Sequence, residues 1–139
     1  MNTYTLKEGS IDNDPSEFKV RMGVVGYRNY NNYEHIKKEL DDFQSKSKNK
    51  IDLIVSGGCT GVDTLAERWA DENNIPKLIL LPIKTLGKKS FILRDQEIVN
   101  FSTHMIAFPS ILGKGTQNTI TMAKKRSDLK LNLKVIDII

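Results

Sequence analysis

The fold is decided by residues 51–63, which read IDLIVSGGCTGVD, an apolar run followed at once by a glycine-rich turn. The apolar run predicts a buried strand, and the amphipathic stretch that begins at Val62 predicts a helix. Glycine allows positive φ and puts no Cβ in the way of a ligand, and a helix start offers free N–H groups with a partial positive charge. A strand, turn and helix in this order are suited to hold a phosphate or another anion.

Outward from this stretch, strand patterns alternate with helical periodicity. Strands are predicted at 18–25, 51–55, 78–81, 105–108 and 133–138, and helices at about 33–45, 62–73, 91–101 and 116–126. This alternation predicts a parallel sheet with helices on both faces, and right-handed crossovers make it doubly wound. We therefore predict an α/β fold, Rossmann-like and doubly wound, with a mostly parallel five-stranded sheet.

The composition is that of one globular domain, with 139 residues of which 39% are hydrophobic and 27% charged. Residues 1–17 show no period of 2 or 3.6, so they are predicted to form a flexible N-terminal arm ahead of a single domain at 18–139. No apolar run approaches the about 20 residues of a membrane span, and the first residues lack a signal-peptide pattern. A single cysteine fits a reducing compartment, so we expect a cytoplasmic protein without a membrane partner.

The charge pattern and the absence of known motifs limit which kinds of ligand and partner are expected. The net charge is +4 with lysines and acids interleaved, so nucleic acid is not the expected partner. His35 and His104 have no partners at metal-ligand spacing, so neither a metal nor a cofactor is predicted. The glycine turn is one residue tighter than the dinucleotide-binding pattern, and neither 87–90 nor 113–116 fits the phosphate-binding pattern of nucleotide hydrolases.

In a doubly wound sheet the ligand binds beyond the carboxyl ends of the strands. Four unusual segments follow the first four predicted strands, at 26–28, 56–58, 87–89 and 113–116. Their convergence at one edge predicts a site for an anionic ligand. The predicted ligand-binding residues are Gly26, Tyr27, Arg28, Ser56, Gly57, Gly58, Gly61, Asp63, Lys88, Arg94, Gly113, Gly115 and Thr116.

Three of the side chains in this region allow two interpretations. Asp63 is either a first-turn carboxylate favoured by the helix dipole or a partner for a ribose hydroxyl or ligand amine. Cys59 lies where a thiol pKa can fall, yet without a visible base we favour a small residue that fills the turn. Arg94 is either an ordinary exposed arginine or a clamp for phosphate or carboxylate.

The residues resemble those of the SLOG superfamily, and most closely its YspA-like branch, which is related to YpsA. The resemblance covers roughly 20–136 and is most specific at 57–63. The segments that carry it are Val25-Gly26-Tyr27-Arg28, residues 55–70, Ile75-Pro76, Gly87-Lys88, Arg94, Ala107-Phe108-Pro109 and 113–116.

The resemblance implies a Rossmann-like fold and a nucleotide or nucleotide-derived ligand. Some members cleave an N-glycosidic bond, others are regarded as ligand sensors, and DNA-processing relatives bind single strands. In the hydrolase branch a glutamate stands three residues after a Gly-Thr pair, and here that position is Thr119. Because Thr119 cannot replace a carboxylate as general acid or base, we favour a binding protein over an enzyme. The branch pattern of Arg-Asn is Arg94-Asp95 here, and the aromatic residue that precedes the 87–89 loop in this branch is missing.

The leading expectation is a protein that senses or sequesters a phosphorylated small molecule, either a nucleoside phosphate or an ADP-ribose-like compound. The first alternative is an N-glycosidase or phosphoribohydrolase that uses Asp63, Asp95 or Glu97. The second is single-stranded DNA binding through lysine-rich faces. Sheets of this kind often pair, so a homodimer or higher homo-oligomer is expected.

Overall fold

The sheet has six strands in the computed structural model, which describes residues 3–130 and 132–138. The strands are β1 (Tyr4–Leu6), β2 (Arg21–Gly26), β3 (Leu53–Ser56), β4 (Lys77–Pro82), β5 (His104–Phe108) and β6 (Leu133–Val135). Their order across the sheet is β1-β4-β3-β2-β5-β6, and every neighbouring pair is parallel except β1 with β4. The predicted α/β, Rossmann-like fold with a mostly parallel sheet is confirmed.

Helices cover both faces of the sheet. They are α1 (Tyr33–Lys46), α2 (Val62–Glu72), α3 (Lys89–Phe101), α4 (Gly115–Lys124) and the short α5 (Ser127–Lys130). On one face Ile36 of α1 and Trp69 of α2 are fully buried in one core cluster. On the other face Ile98 of α3, Ala123 of α4 and Leu129 of α5 are buried in a second cluster. None of the helices in the described part of the chain is long and apolar enough to cross a membrane.

The prediction of five strands is corrected by β1, which comes from the predicted N-terminal arm. It pairs antiparallel with β4, and the Lys7 N–H extends the pairing by donating to Ile79 O at 2.9 Å. The Lys7 ammonium also pairs with Glu67 on α2 at 2.7 Å. The described part of residues 1–17 therefore contributes to the sheet. The strand was missed because three half-exposed residues are too few to show an alternating pattern.

The remaining differences are the short helix α5, which was not predicted, and the ends of several elements. The strand predicted to end at 138 stops at Val135, and Ile138 makes an isolated bridge to Ser110. Helix α3 begins two residues earlier than the predicted start at 91, whereas α4 ends two residues before the predicted end at 126. The parallel strands β2, β3, β4 and β5 end at one edge of the sheet, so their following loops meet there.

Candidate functional site

A cavity of about 440 Å³ lies at the carboxyl edge of the sheet, where the loops after β2, β3 and β5 converge with α3 and α4. Its volume is within the range of small-molecule sites. The residues on its wall are Val25, Gly26, Tyr27, Arg28, Asn29, Cys59, Asp63, Phe91, Arg94, Asp95, Ile98, Leu112, Gly113, Lys114, Gly115, Thr116 and Thr119. The structure therefore brings eight of the predicted ligand-binding residues together, which are Gly26, Tyr27, Arg28, Asp63, Arg94, Gly113, Gly115 and Thr116.

The conformation of the glycine loop after β3 is fixed by close packing behind the cavity wall. Gly61 has φ 76°, and a Cβ there would lie 2.4 Å from the carbonyl carbon of Arg28 and 2.5 Å from Tyr27 O. Gly58 has φ 72°, and a Cβ there would lie 2.4 Å from Leu81 Cδ2. These glycines are required by close backbone and side-chain packing. Neither of them lines the cavity wall.

Arg94 holds this loop from α3. The residue is 4% exposed, and its Nε donates to Asp95 Oδ1 at 2.8 Å. Its Nη1 donates to Gly57 O at 2.5 Å and to Leu80 O at 3.2 Å, and Nη2 lies 3.8 Å from Cys59 Sγ. The positive charge of Arg94 is thus paired with Asp95 and two backbone carbonyls. It fixes the end of β3 against β4, which neither sequence interpretation of Arg94 described.

Asp63 contributes a buried carboxyl to the cavity wall. The residue is 6% exposed, and its Oδ2 accepts the N–H of Cys59 at 3.2 Å. Its Oδ1 accepts no hydrogen bond from residues 3–130 and 132–138. Burial raises the pKa of Asp63 to about 7, against the lowering by the Cys59 N–H and by Arg94. The carboxyl is therefore poised to change its protonation near neutral pH.

A second carboxyl, that of Asp95, lies beside Thr119. Burial raises the pKa of Asp95, although Arg94 and the Thr119 hydroxyl both act to lower it. Thr119 is buried, and its hydroxyl also lies 3.4 Å from Gly115 O. The carboxyl of Asp95 thus reaches Thr119, the position at which the hydrolase branch carries its glutamate. This proximity follows from the packing of α3 against α4 and could not be read from the sequence.

Cys59 is not an activated thiol. Burial, and then the neighbouring Asp63, raise its pKa, although Arg94 acts in the opposite direction. This direction does not favour a thiol with a lowered pKa, and the half-buried position of Cys59 agrees with a small residue that fills the turn. Among the described residues, no three His, Cys, Asp or Glu side chains are grouped so that they could hold a metal ion.

The start of α4 contributes to the cavity wall. The helix begins at Gly115, and its N-cap residue Lys114 makes no side-chain capping bond, so the first N–H groups of the helix remain free for a ligand. A Cβ on Gly115 would meet nothing within 4 Å, whereas one on Gly113 would lie 3.0 Å from the Tyr27 ring. Lys114 and Arg28, both exposed, also line the cavity.

Several predicted residues lie away from the wall. Ser56 is fully buried and its hydroxyl has no partner among the described residues, because β3 ends beneath the loop. Lys88 is exposed just before α3, outside the cavity. Glu97 accepts a hydrogen bond from Asn100 at 2.9 Å. It follows Asp95 by two residues, or about 200° around the helix, so it points away. Gly57, Gly58 and Gly61 also lie outside the wall.

Sequence reasoning missed the apolar side of the cavity. Phe91 on the first turn of α3 is 43% exposed, and Leu112 in the loop after β5 is 69% exposed. Large apolar side chains at a cavity mouth offer a surface for a planar ligand group. Their signal in the sequence was weak, since a single phenylalanine or leucine beside a lysine-rich loop resembles any partly buried residue.

Fold and site together define a Rossmann-like protein with a small-molecule cavity at the strand ends. Residues 20–82 match the model of the YAcAr family, described as the YspA, cpYpsA-related SLOG family. The match spans β2 to β4 and confirms the predicted resemblance to the SLOG superfamily and its YspA-like branch. At the level of the family, a nucleotide-related ligand is supported. No curated protein matches the chain.

One solved structure with a similar fold is that of DNA processing protein A from Helicobacter pylori, a protein described for its single-stranded DNA binding mode. The two share 18% sequence identity with a TM-score of 0.60, over 95% of this chain and 80% of the other. At this identity the likeness concerns the fold alone.

Proposed function

We propose that the protein binds a phosphorylated, nucleotide-derived small molecule in the cavity and thereby senses or sequesters it. The observation that carries this proposal is the polarity of the cavity. Its wall carries the free start of α4, the cationic side chains of Lys114 and Arg28, the carboxyl of Asp63 and the ring of Phe91. A nucleotide offers a phosphate for the start of α4 and its cations, hydroxyl and amino donors for Asp63, and a planar base for Phe91.

The phosphate is assigned to the start of α4 rather than to the glycine loop after β3. The Cys59 N–H is already used by Asp63, and the Val62 N–H donates to Tyr27 O at 3.4 Å. The charge of Arg94 is matched by Asp95. At the start of α4 the N–H groups have no capping side chain. Helix N-termini with such free groups are suited to phosphate.

Calorimetric titration of the full chain with nucleoside mono-, di- and triphosphates and with ADP-ribose tests this proposal. We expect saturable binding by at least one of them. Gly115→Ala should weaken it about tenfold without loss of folding, because the added methyl group enters only the ligand's space. Arg28→Ala should weaken binding by a similar factor through the lost charge.

The matched controls are Thr121→Ala, on the exposed face of the same helix, and Lys124→Ala, which removes one charge at its far end. Both should bind as the wild type does. Absence of saturable binding across the panel, or wild-type affinity in both Gly115→Ala and Arg28→Ala, would contradict the proposal.

A second candidate function is N-glycosidic bond cleavage, favoured by the two carboxyl groups of Asp63 and Asp95 on the same wall. Neighbouring carboxyl groups with different pKa values are the usual pair of a glycoside-cleaving site. In that case Asp63 would hold a proton near neutral pH and donate it to the leaving base. Glu97 is dropped from the candidates because it lies outside the cavity.

Release of free base from the same nucleotide panel, followed by chromatography, tests this candidate. A true enzyme would lose turnover in Asp63→Asn and in Asp95→Asn but keep it in the control Glu97→Gln. Ligand binding without any released base would leave the binding function and remove the catalytic one.

Single-stranded DNA binding remains a third candidate because the similar fold of DNA processing protein A carries that activity. Fluorescence anisotropy with an oligothymidine tests it, since binding through lysines weakens steeply with salt. A titration that is flat at low salt would exclude this candidate.

Size-exclusion chromatography with light scattering would test the expected homodimer.

A further inference from the structure

Asp63 presents an oxygen to the cavity that the described chain does not use. Its Oδ2 is held by the Cys59 N–H at 3.2 Å, whereas its Oδ1 accepts nothing from residues 3–130 and 132–138. The residue is 6% exposed and lines the cavity. Asp63 Oδ1 is not among the fully buried unpaired atoms of the described residues, so it is accessible from the cavity that Asp63 lines. The folded chain thus holds an acceptor ready for a donor that comes from outside it.

The surroundings of Asp63 do not supply a full countercharge. The titratable and charged groups around it are Glu67 on its own helix, Cys59 in the preceding loop, Arg94 and Asp95 on α3, and Arg28 and Lys114 on the cavity wall. Arg94 is paired with Asp95, and Glu67 pairs with Lys7. The ionised form of Asp63 is therefore stabilised mainly by one backbone N–H, and a ligand donor would add a second hydrogen bond.

We propose that Asp63 is the specificity-determining residue of the cavity, which accepts an O–H or N–H donor of the ligand and releases its proton when the ligand binds. The proton passes to the solvent, and no covalent bond is formed or broken. This inference rests on the proposed function, because it concerns the same ligand. The donor is either a ribose hydroxyl or an amino group of the base.

The direction in which ligand affinity changes with pH follows from the linkage between ligand binding and proton release. An ionised carboxylate only accepts hydrogen bonds, so a donor at Oδ1 favours the ionised form and lowers the pKa on binding. Burial sets the pKa of the free carboxyl to about 7. Between the two pKa values each bound ligand releases up to one proton. Affinity should therefore fall about tenfold from pH 8 to pH 6.

The experiment uses 5′-AMP as the probe, titrated calorimetrically at pH 6, 7 and 8 in two buffers of different ionisation enthalpy. The difference in apparent enthalpy gives the number of protons released. A phosphate has its own pKa near 6, so the contribution of Asp63 is the difference between the wild type and Asp63→Asn. We expect about half a proton from Asp63 at pH 7, and nearly one at pH 6.

Three analogues identify the donor. Loss of proton release with 2′-deoxy-AMP or 3′-deoxy-AMP would assign the donor to that ribose hydroxyl, and loss with IMP would assign it to the amino group of the base. If Asp63→Asn does not fold, carboxyl ¹³C NMR of the wild type measures the pKa of Asp63 directly. We then expect this pKa to be lower with 5′-AMP than without it.

The outcomes separate this inference from the function on which it rests. Saturable binding of 5′-AMP with equal proton release in the wild type and Asp63→Asn, or an unchanged pKa of Asp63 by NMR, would overturn the inference alone. Absence of binding by 5′-AMP and by every other member of the nucleotide panel would overturn both.

Discussion

At the scale of single residues, Arg94 shows how a side chain near a cavity can be used by the protein itself. Its guanidinium connects Asp95 with the backbone carbonyls at the ends of β3 and β4. Arginine suits this position because it presents several donors in a fixed plane. Its removal would leave a half-buried carboxylate and two carbonyls without their donor.

Arg94→Ala should lower the free energy of unfolding by about 3 kcal/mol, because unpaired buried charges and carbonyls are costly. Arg94→Lys should recover less than half of this, since an ammonium cannot reach all three acceptors. Urea denaturation followed by circular dichroism measures both. The matched control is Arg68→Ala at an exposed position of α2, where the pair with Glu72 and the contact with the Tyr33 ring should together contribute only about 1 kcal/mol. An equally small effect for Arg94→Ala would contradict the assigned role.

Asp63 should also make stability depend on pH. Its pKa in the folded state is raised to about 7, while an unfolded aspartate has a pKa of about 3.9. The folded state therefore binds more protons between these values, and stability is lost as pH rises from about 4 to 7. The loss is about 1.4 kcal/mol per pH unit at most.

Urea denaturation of the wild type and Asp63→Asn across this pH range measures the contribution. The difference between their free energies of unfolding should change in favour of the asparagine variant as pH rises, and should level off above pH 8. A constant difference from pH 4 to 8 would show that the pKa of Asp63 is not raised.

At the scale of elements, the contrast between α2 and α4 decides where a ligand can bind. Both helices begin at the carboxyl edge of the sheet and follow glycine-containing loops. The start of α2 is covered by the backbone of Tyr27 and Arg28, which packs directly on Gly61. The start of α4 has no such cover and lines the cavity. Of these two helix starts, that of α4 is therefore the more accessible from the cavity.

Removal of strand β1 should affect mainly properties outside the site, namely stability and association. The strand pairs with one edge of β4, and its continuation places Lys7 against the buried Glu67. Deletion of residues 1–7 should lower the midpoint of urea denaturation, because Glu67 loses its partner. It should also promote association through the exposed edge of β4.

Size-exclusion chromatography at increasing concentration measures that association, and urea denaturation measures the stability. Lys7→Ala is the matched control, since it removes the ion pair and keeps the strand. It should lower stability without increasing association. A truncated chain with the midpoint and elution volume of the wild type would show that β1 contributes nothing to the sheet.

The sequence predicted those elements whose pattern is long or strongly apolar. The buried strands around Leu53, Leu80 and Ile106 and the helix around Trp69 were found because burial on one or both faces imposes a visible pattern. Strand β1 escaped because its stability depends on pairing with β4. The glycine loop at 57–61 was recognised, but its orientation depends on contacts with Arg28 and Leu81, which are distant in the sequence.

At the scale of the whole molecule, the doubly wound order brings distant segments to one cavity. Residues 26–29, 59–63, 91–98 and 112–119 meet at the carboxyl ends of β2, β3 and β5. The site was therefore predictable as a place, because the topology fixes which loops converge. The role of each residue in the site was not predictable, since charge pairing and burial depend on the packing of α3 against the glycine loop and α4.

The proposed function requires that the cavity bind a nucleotide-derived ligand with its phosphate at the start of α4. A crystal structure of the full chain grown with the tightest-binding nucleotide of the panel tests it most directly. We expect phosphate oxygens within about 3 Å of the N–H groups of Gly115 and Thr116, and the nucleoside beside Asp63. Density for the phosphate on the glycine loop at 57–61, or for the nucleotide outside the cavity altogether, would contradict it.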